Sequence, residues 1–390
     1  MNARHADPPV GAQVGLREVL VLWGRIGCTG FGGPPAHISL LRELCVGRRA
    51  WLSDEEFEDA IAACNLLPGP ASTQLAILCA WRVAGPLGAL VGGAAFIVPG
   101  LVLILLLAAV FLAASPPLWV RGAAAGAGAA VAAVAVRAGA GLLPASWRRS
   151  PAHVRWASYA LLGGAVAATL GPWLVLVLLA SGLIEVVWRG RERREGGLVS
   201  VHPWPLLAAA GAATGGVLAL IWVAFKVGAL SYGGGFVIVP LMQSEAVGHY
   251  HWMTAGQFLN AVALGQVTPG PVVQTVAVVG YAAGGIGGGL LAAVVAFAPS
   301  FAFILLGARH FDRLRADARV QAFLDGAGPA AIGAILGSAI PLALALHTTW
   351  QFALLAGAAL ALLVLRLGVV VVLLAAAVIG AIVGVAGVPL

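Results

Sequence analysis

Two cations stand where an apolar chain should carry none. Arg25 and Lys226 each lie inside a long apolar segment and precede a glycine run, Gly32-Gly33 and Gly233-Gly234-Gly235. A cation at the centre of a bilayer costs roughly 2.5–3.5 kcal/mol on insertion scales, so it is expected to face a cavity or a partner. Snorkelling to the headgroups is the plainer use of such a side chain, but Arg25 is about nine residues from either end of its segment. Neither segment supplies a midplane carboxylate, and the unbalanced positive charge points to an anionic ligand. The glycine runs suit backbone nests for anions or close helix approach.

A second matched pair is Leu67-Pro68-Gly69-Pro70 and Thr268-Pro269-Gly270-Pro271, each breaking an apolar segment. A helix that begins inside a membrane exposes free N–H groups and the positive end of its dipole. Proline suits its first position, having no N–H to lose. Pro70 before Ala71-Ser72-Thr73-Gln74 and Pro271 before Val272-Val273-Gln274-Thr275 should therefore start half-helices that converge on an anion. Ser72, Thr73, Gln74, Gln274 and Thr275 add neutral donors, and Asn65 and Gln266 match on the preceding turns. With Arg25, Lys226, Gly32, Gly33, Gly233, Gly234 and the two Pro-Gly-Pro runs (Pro68, Gly69, Pro70; Pro269, Gly270, Pro271), they form the expected substrate-binding set.

The elements that position these residues occur twice. Adding 201 carries Arg25 to Lys226, Trp51 to Trp252, Phe57 to Phe258 and Phe96 to Phe297, with no gap over some 70 residues. This is a tandem duplication, with repeats over 1–195 and 196–390. Apolar residues make up 61% of the chain and charged residues 9%, and the mean hydropathy is +0.98. Such a chain is a polytopic membrane protein. Spans are expected near 16–33, 86–113, 118–143, 156–170 and 172–188, and again near 205–235, 286–307, 324–346, 349–365 and 368–387. The Pro-Gly-Pro segments, near 57–84 and 256–283, have arms of ~12–14 residues, or ~18–20 Å, too short to cross alone. Each is either one broken span or a re-entrant hairpin.

Arginine placement separates these two geometries. Arg42, Arg48 and Arg49 follow the first span, whereas 243–252 has no Lys or Arg; residues 113–117 are uncharged, whereas Arg309, Arg313, Arg315 and Arg319 crowd the equivalent loop. Equivalent loops thus carry opposite labels under the positive-inside rule. Hairpins place all basic loops (42–49, 148–155, 189–194 and 309–319) on the cytoplasmic side together. The expected fold is all-α: two inverted repeats of about five spans, each with a Pro-Gly-Pro hairpin, and both termini outside.

Composition closes off other classes. The net charge of +7 sits in short loops and does not indicate nucleic acid. Cys28, Cys45, Cys64 and Cys79 are too irregular for a zinc site or a disulfide framework and read as packing residues. Residues 1–15 lack the pattern of a signal peptide, so the first apolar helix is expected to direct insertion. Ser53 reads as an N-cap for the acidic run Asp54, Glu55, Glu56, Glu58, Asp59. No Ser/His/Asp set, Walker loop or HExxH appears, so neither an enzyme nor a cofactor is expected. Proton coupling would need a titratable group, with Glu43, Asp59 and Glu245 as candidates beside Glu185 and Asp325, and His37, His249, His251 and His347 behind them. An interfacial position is the simpler account of each.

These motifs resemble the chromate ion transporter (CHR) family. The resemblance rests on Phe31-Gly32-Gly33-Pro34 with Ser231-Tyr232-Gly233-Gly234-Gly235, and on the two Pro-Gly-Pro runs, each followed by a polar-containing helix. It covers nearly all of the chain. The resemblance implies proton-motive-force-driven export of chromate across the inner membrane and hence chromate resistance, with sulfate handled by some members. Pro34 stands against Gly235 and Ser39 against Pro240, so the halves are not equal. The residues themselves support only a small oxyanion, and such donors would accept chromate or sulfate alike; the surroundings are membrane lipid, and a homodimer is compatible with the sequence. A passive anion channel and an intramembrane enzyme are the other readings.

Overall fold

The computed structural model describes residues 14–67, 69–113, 115–150, 152–169, 173–192, 215–231, 238–307 and 317–389, without the side chains of Leu66 and Glu192. The residues Pro68, Gly233 and Gly234, and most of the 309–319 loop, lie outside the described residues. Within them the regular structure is helical throughout.

α1 (Leu16–Thr29) stops at Gly30. Gly32 and Gly33 take φ of +99° and +75°, and Pro34 and Pro35 open α2 (Pro34–Arg42), which runs on as a π-helix over Glu43–Arg48. The return arm closes on the first: Arg49 lies 2.8 Å from Glu18, and Trp51 stacks on Trp23 with ring centroids 6.2 Å apart. The stretch expected as a span over 16–33 is therefore one arm of a hairpin. Its 14 residues rise only about 21 Å, and positive-φ glycines backed by two prolines turn the chain where apolarity alone suggested continuation.

α3 (Asp54–Leu66) starts from Ser53, whose hydroxyl accepts from Glu56 N while the Glu56 carboxylate accepts from Ser53 N, a complete capping box. After the tip, α4 (Ala71–Phe111) begins with Pro70 as its N-cap and reverses at Ala84 and Gly85, where φ reaches +66°. Arg82 Nη1 donates to Glu56 O at 2.6 Å, so residues 54–83 form a second hairpin with both ends at one level. The arm 71–83 then folds back along 86–111: a Cβ on Gly92 would lie 2.5 Å from Ala80 Cβ, and one on Gly93 2.8 Å from Ile77 Cγ1. In a straight helix positions 77 and 93 would be about 24 Å apart.

α5 (Leu118–Arg149) leads to a hairpin of α6 (His153–Thr169) and α7 (Leu174–Glu192). Its base is tied at Glu185, which meets Arg155 at 3.1 Å and Arg189 at 2.9 Å and Tyr159 Oη at 3.1 Å. Arg189 also reaches Asp325 at 2.8 Å, joining this base to α12 (Ala318–Leu344).

The second half repeats much of this order of elements. α8 (Gly216–Leu230) and α9 (Ile238–Gln243), with a π-helix over Ser244–His249, repeat the first hairpin. α10 (Ala255–Val267) repeats the capping box with Thr254 and Gln257. A 3-10 turn, Val272–Gln274, precedes α11 (Thr275–Gly307), which breaks at Gly284 and Gly285. α13 (Thr349–Ala359), a π-turn over Leu360–Val364 and α14 (Val369–Val385) complete the described chain. The 201 register holds through Pro70 and Pro271 but becomes 200 beyond them. Gly85 matches Gly285, Pro99 matches Pro299, and Gly27 abuts Phe96 O as Gly228 abuts Ala296 O. The pairing of Phe96 with Phe297 and the gapless register are thus corrected. Three residues of 3-10 helix climb about 6 Å, as far as four residues of α-helix, so one residue disappears without displacing the downstream arm.

The arms 86–111 and 286–307 cross at the centre. Position 93 faces Phe301 and position 289 faces Leu105, each at 2.5 Å from the built Cβ, so the two arms run antiparallel. Among the described residues, four helices are long and apolar enough to cross a membrane: Ala71–Phe111, Leu118–Arg149, Val272–Gly307 and Ala318–Leu344. In the first and third only the long arm is available to do so.

Candidate functional site

The hairpin tips meet where the two long arms cross. The built Cβ of Gly69 lies 3.3 Å from Ser300 Oγ, and that of Gly100 falls against Pro269 O and 2.6 Å from Gln274 Oε1. Gln274 Nε2 donates to Ile97 O at 2.7 Å. Each half thus lays its Pro-Gly-Pro tip on the other half's long arm, beside Pro99-Gly100 or Pro299-Ser300. Several polar atoms buried in this region lack a hydrogen-bond partner: Thr73 Oγ1, Gln274 Oε1, Ser300 Oγ and Gln266 Nε2. Buried polar groups are seldom left so, and a cluster of them is a candidate for a bound polar guest. Thr275 is occupied locally, its hydroxyl donating to Val272 O at 2.8 Å.

The two halves are also joined through the first tip. Gly270 N donates to Gly30 O at 3.0 Å, and Gly33 approaches Val272, its built Cβ 3.9 Å from Val272 Cγ2. His37 Nε2 lies 2.8 Å from the same Gly30 oxygen, and its Nδ1 lies 3.2 Å from Ser72 Oγ. Phe96 packs edge-on against the ring at 5.0 Å.

The two cations part company. Lys226 Nζ is paired with the Glu245 carboxylate, both largely buried at 12% and 8% side-chain exposure. The expectation of a cation without a carboxylate is corrected here, since the partner arrives from the returning π-helix. Arg25 is exposed on α1. Of the carboxylates considered for proton coupling, Glu43 is exposed and bonded to Arg48 at 2.5 Å, Asp59 is exposed, and Glu245 is buried.

A cavity of about 800 Å³ leads to the first tip. Exposed Glu58, Asn65 and Arg149 and half-buried Asp325 line its outer part, and half-buried Ala71 and buried Gly69 its inner part. Thr73 N and Gln74 N are bonded back to Pro70 O at 2.9 and 3.0 Å, so the Ala71 and Ser72 N–H groups stand ahead of the first helical bond. The second tip does not share this cavity: Pro269, Gly270 and Gln274 are buried against α4.

Gly100 and Ser300 were not among the expected site residues. The signal for them was present as Pro99 and Pro299, paired prolines inside apolar runs, but it is hidden when the register is held at 201. His37 stood behind the carboxylates because a histidine among apolar residues has no spacing signature.

The chromate transporter family matches two stretches of the chain, residues 17–186 and 218–381. The chromate transport protein of Cupriavidus metallidurans is 33% identical over 336 residues, covering 84% of this chain and 82% of that protein. The chromate transport protein of Pseudomonas aeruginosa is 31% identical over 339 residues, covering 82% and 79%. The probable chromate transport protein of Synechococcus elongatus is 27% identical over 338 residues, covering 84% of each. No solved structure matches. Two matches along one chain, long alignments to full-length relatives and a helical apolar architecture agree: this integral membrane protein belongs to the chromate transporter family.

Proposed function

We propose that this chain exports chromate across the cytoplasmic membrane as a secondary transporter driven by the proton motive force, and so confers chromate resistance. The observation that carries this reading is the cavity reaching Gly69 and Ala71, at the amino end of α4. A dianion arriving there meets free N–H groups and the positive pole of a helix. Ser300, with an unpartnered hydroxyl, lies buried beside this tip, and unpartnered Thr73 sits on the first turn of α4. Arg149 at the opening supplies attraction from the basic face, which the positive-inside rule makes cytoplasmic.

Alternating access follows from the architecture as we read it, with repeats over 1–195 and 196–390 inserted in opposite orientations. The antiparallel crossing of 86–111 and 286–307 supports opposite orientations. Lys226 balances the anion when Glu245 is protonated, and Arg25 supplies charge from the first half. Arg25→Gln and Lys226→Gln are expected to abolish transport while leaving insertion intact.

A second reading, sulfate transport, draws on the donor set itself. Hydroxyls, amides and backbone N–H groups accept any tetrahedral dianion of this size. Uptake of radiolabelled chromate into everted vesicles, with and without a proton gradient and with excess sulfate, separates the readings. Gradient-dependent accumulation that resists sulfate is the expected result. Accumulation erased by sulfate makes sulfate the cargo, and flux that no gradient can drive uphill means a passive channel.

A further inference from the structure

We propose that His37 is a positioning residue that couples proton binding to anion binding, by setting which way the Ser72 hydroxyl points. The inference rests on the anion reading of the α4 amino end and goes beyond it by assigning the proton.

The hydrogen-bond pattern fixes the tautomer. A carbonyl oxygen can only accept, so the 2.8 Å contact to Gly30 O requires a proton on Nε2. In the neutral ring Nδ1 is then an acceptor, and the Ser72 hydroxyl must donate to it across 3.2 Å. That commits the Ser72 proton to the ring. Protonating Nδ1 makes it a donor, so Ser72 Oγ becomes the acceptor and its own proton is freed from the ring. The first turn of α4 gains an uncommitted hydroxyl donor and a nearby positive charge in one step. Ser72 follows Ala71, which lines the end of the cavity.

No other titratable group among the described residues takes this role. His37 is 0% exposed, and its polar contacts are Gly30 O and Ser72 Oγ. On the elements packed against α2, Arg17 and Arg25 are exposed, Glu18 pairs with Arg49 and Glu43 with Arg48. On α2 itself Arg42 pairs with Asp54 and Glu58, and on α4 Arg82 holds Glu56 O. Exposed Cys28 and buried Cys45 and Cys79 are the remaining groups on these elements. The second half has Ile238 at the matching position, so the device occurs once. The Gly30 oxygen also accepts from Gly270 N, which ties the ring to the contact between the halves.

By reciprocity, a proton that strengthens anion binding is itself held more tightly once the anion is bound. The test uses the full chain in proteoliposomes, with chromate and, because chromate itself takes up a proton near neutrality, sulfate as a probe that stays a dianion. From about pH 8 to well below the ordinary imidazole pKa, because burial disfavours the charged ring, the apparent KM of the wild type is expected to fall roughly tenfold. His37→Gln, which can mimic the neutral ring, should keep kcat and hold the high-pH KM throughout. A His37→Gln profile that parallels the wild type overturns the inference, as does a wild-type KM that does not change with pH. Where His37→Gln does not yield a monodisperse protein, Ser72→Ala decides: retention of the full low-pH gain overturns the proposal, and its loss supports it. Wild-type vesicles that carry neither anion would instead remove the underlying anion reading.

Discussion

The two halves share a backbone and differ in chemistry. In the first, the cation of the leading helix, Arg25, is exposed, the hairpin return carries a buried histidine, and a cavity opens on the tip. In the second, the matching Lys226 is buried against Glu245, the histidine position is Ile238, and the tip is packed shut against Gly100. The same π-helix, the same capping box and the same positive-φ reversal occur in both. The scaffold constrains where hairpins turn, while the residues at the tips and along the return arms are free to diverge. One half has become the open side and the other the closed one.

The sharpest way to break this comparison is at the cations. Lys226→Met leaves the Glu245 charge buried and alone, which costs about 3–5 kcal/mol. Lys226→Met with Glu245→Leu should recover most of that loss. Arg25→Gln, at an exposed position, should stay within about 0.5 kcal/mol. Thermal unfolding in detergent reads all three. Equal costs at Arg25 and Lys226 would mean that Arg25 is buried in the assembled protein and that the halves are alike.

A smaller effect is expected where the arms cross. Any side chain at Gly100 runs into Pro269 O and Gln274. Gly100→Ala should therefore cost about 1–3 kcal/mol through overpacking and block movement of the second tip. Ser300→Ala is expected to be neutral in stability, because its hydroxyl has no partner to lose, yet to weaken anion affinity. Chromate transport and unfolding measured on both variants separate packing from binding.

Much of this architecture is legible in the sequence, for identifiable reasons. The duplication shows because Pro-Gly-Pro and Gly-Gly cannot be replaced without losing the turn, and the Ser53 cap shows because a helix start has its own local grammar. The first hairpin is hidden because Leu16–Thr29 has the apolarity of a span, and its true length is decided by Gly32 and Gly33, whose φ no composition reveals. The register slip is hidden because a 3-10 turn conserves height, not residue number. The Lys226–Glu245 pair and the His37–Ser72 contact bring together residues 19 and 35 positions apart across hairpin tips, which no periodicity exposes.

The smallest difference lies at the bases of the Pro-Gly-Pro hairpins. Ser53 and Thr254 make the same capping box, so removing either hydroxyl should cost about 1 kcal/mol. The first base has further ties, Arg42 to Asp54 and Glu58 at 2.7 Å and Arg82 to Glu56 O at 2.6 Å. In the second half the positions of Asp54, Glu55 and Glu58 hold Ala255, Gly256 and Leu259, so this acidic clamp has no counterpart. Ser53→Ala should therefore fray α3 less than Thr254→Ala frays α10. Hydrogen exchange at the Phe57 and Phe258 amides, which bond to Ser53 O and Thr254 O, reports the two ends separately. Exposed ion pairs are screened by salt, so the advantage of the first base should shrink as ionic strength rises. Persistence of the gap at high salt would transfer the credit to the Arg82 bond, which reaches a backbone carbonyl and closes the hairpin directly.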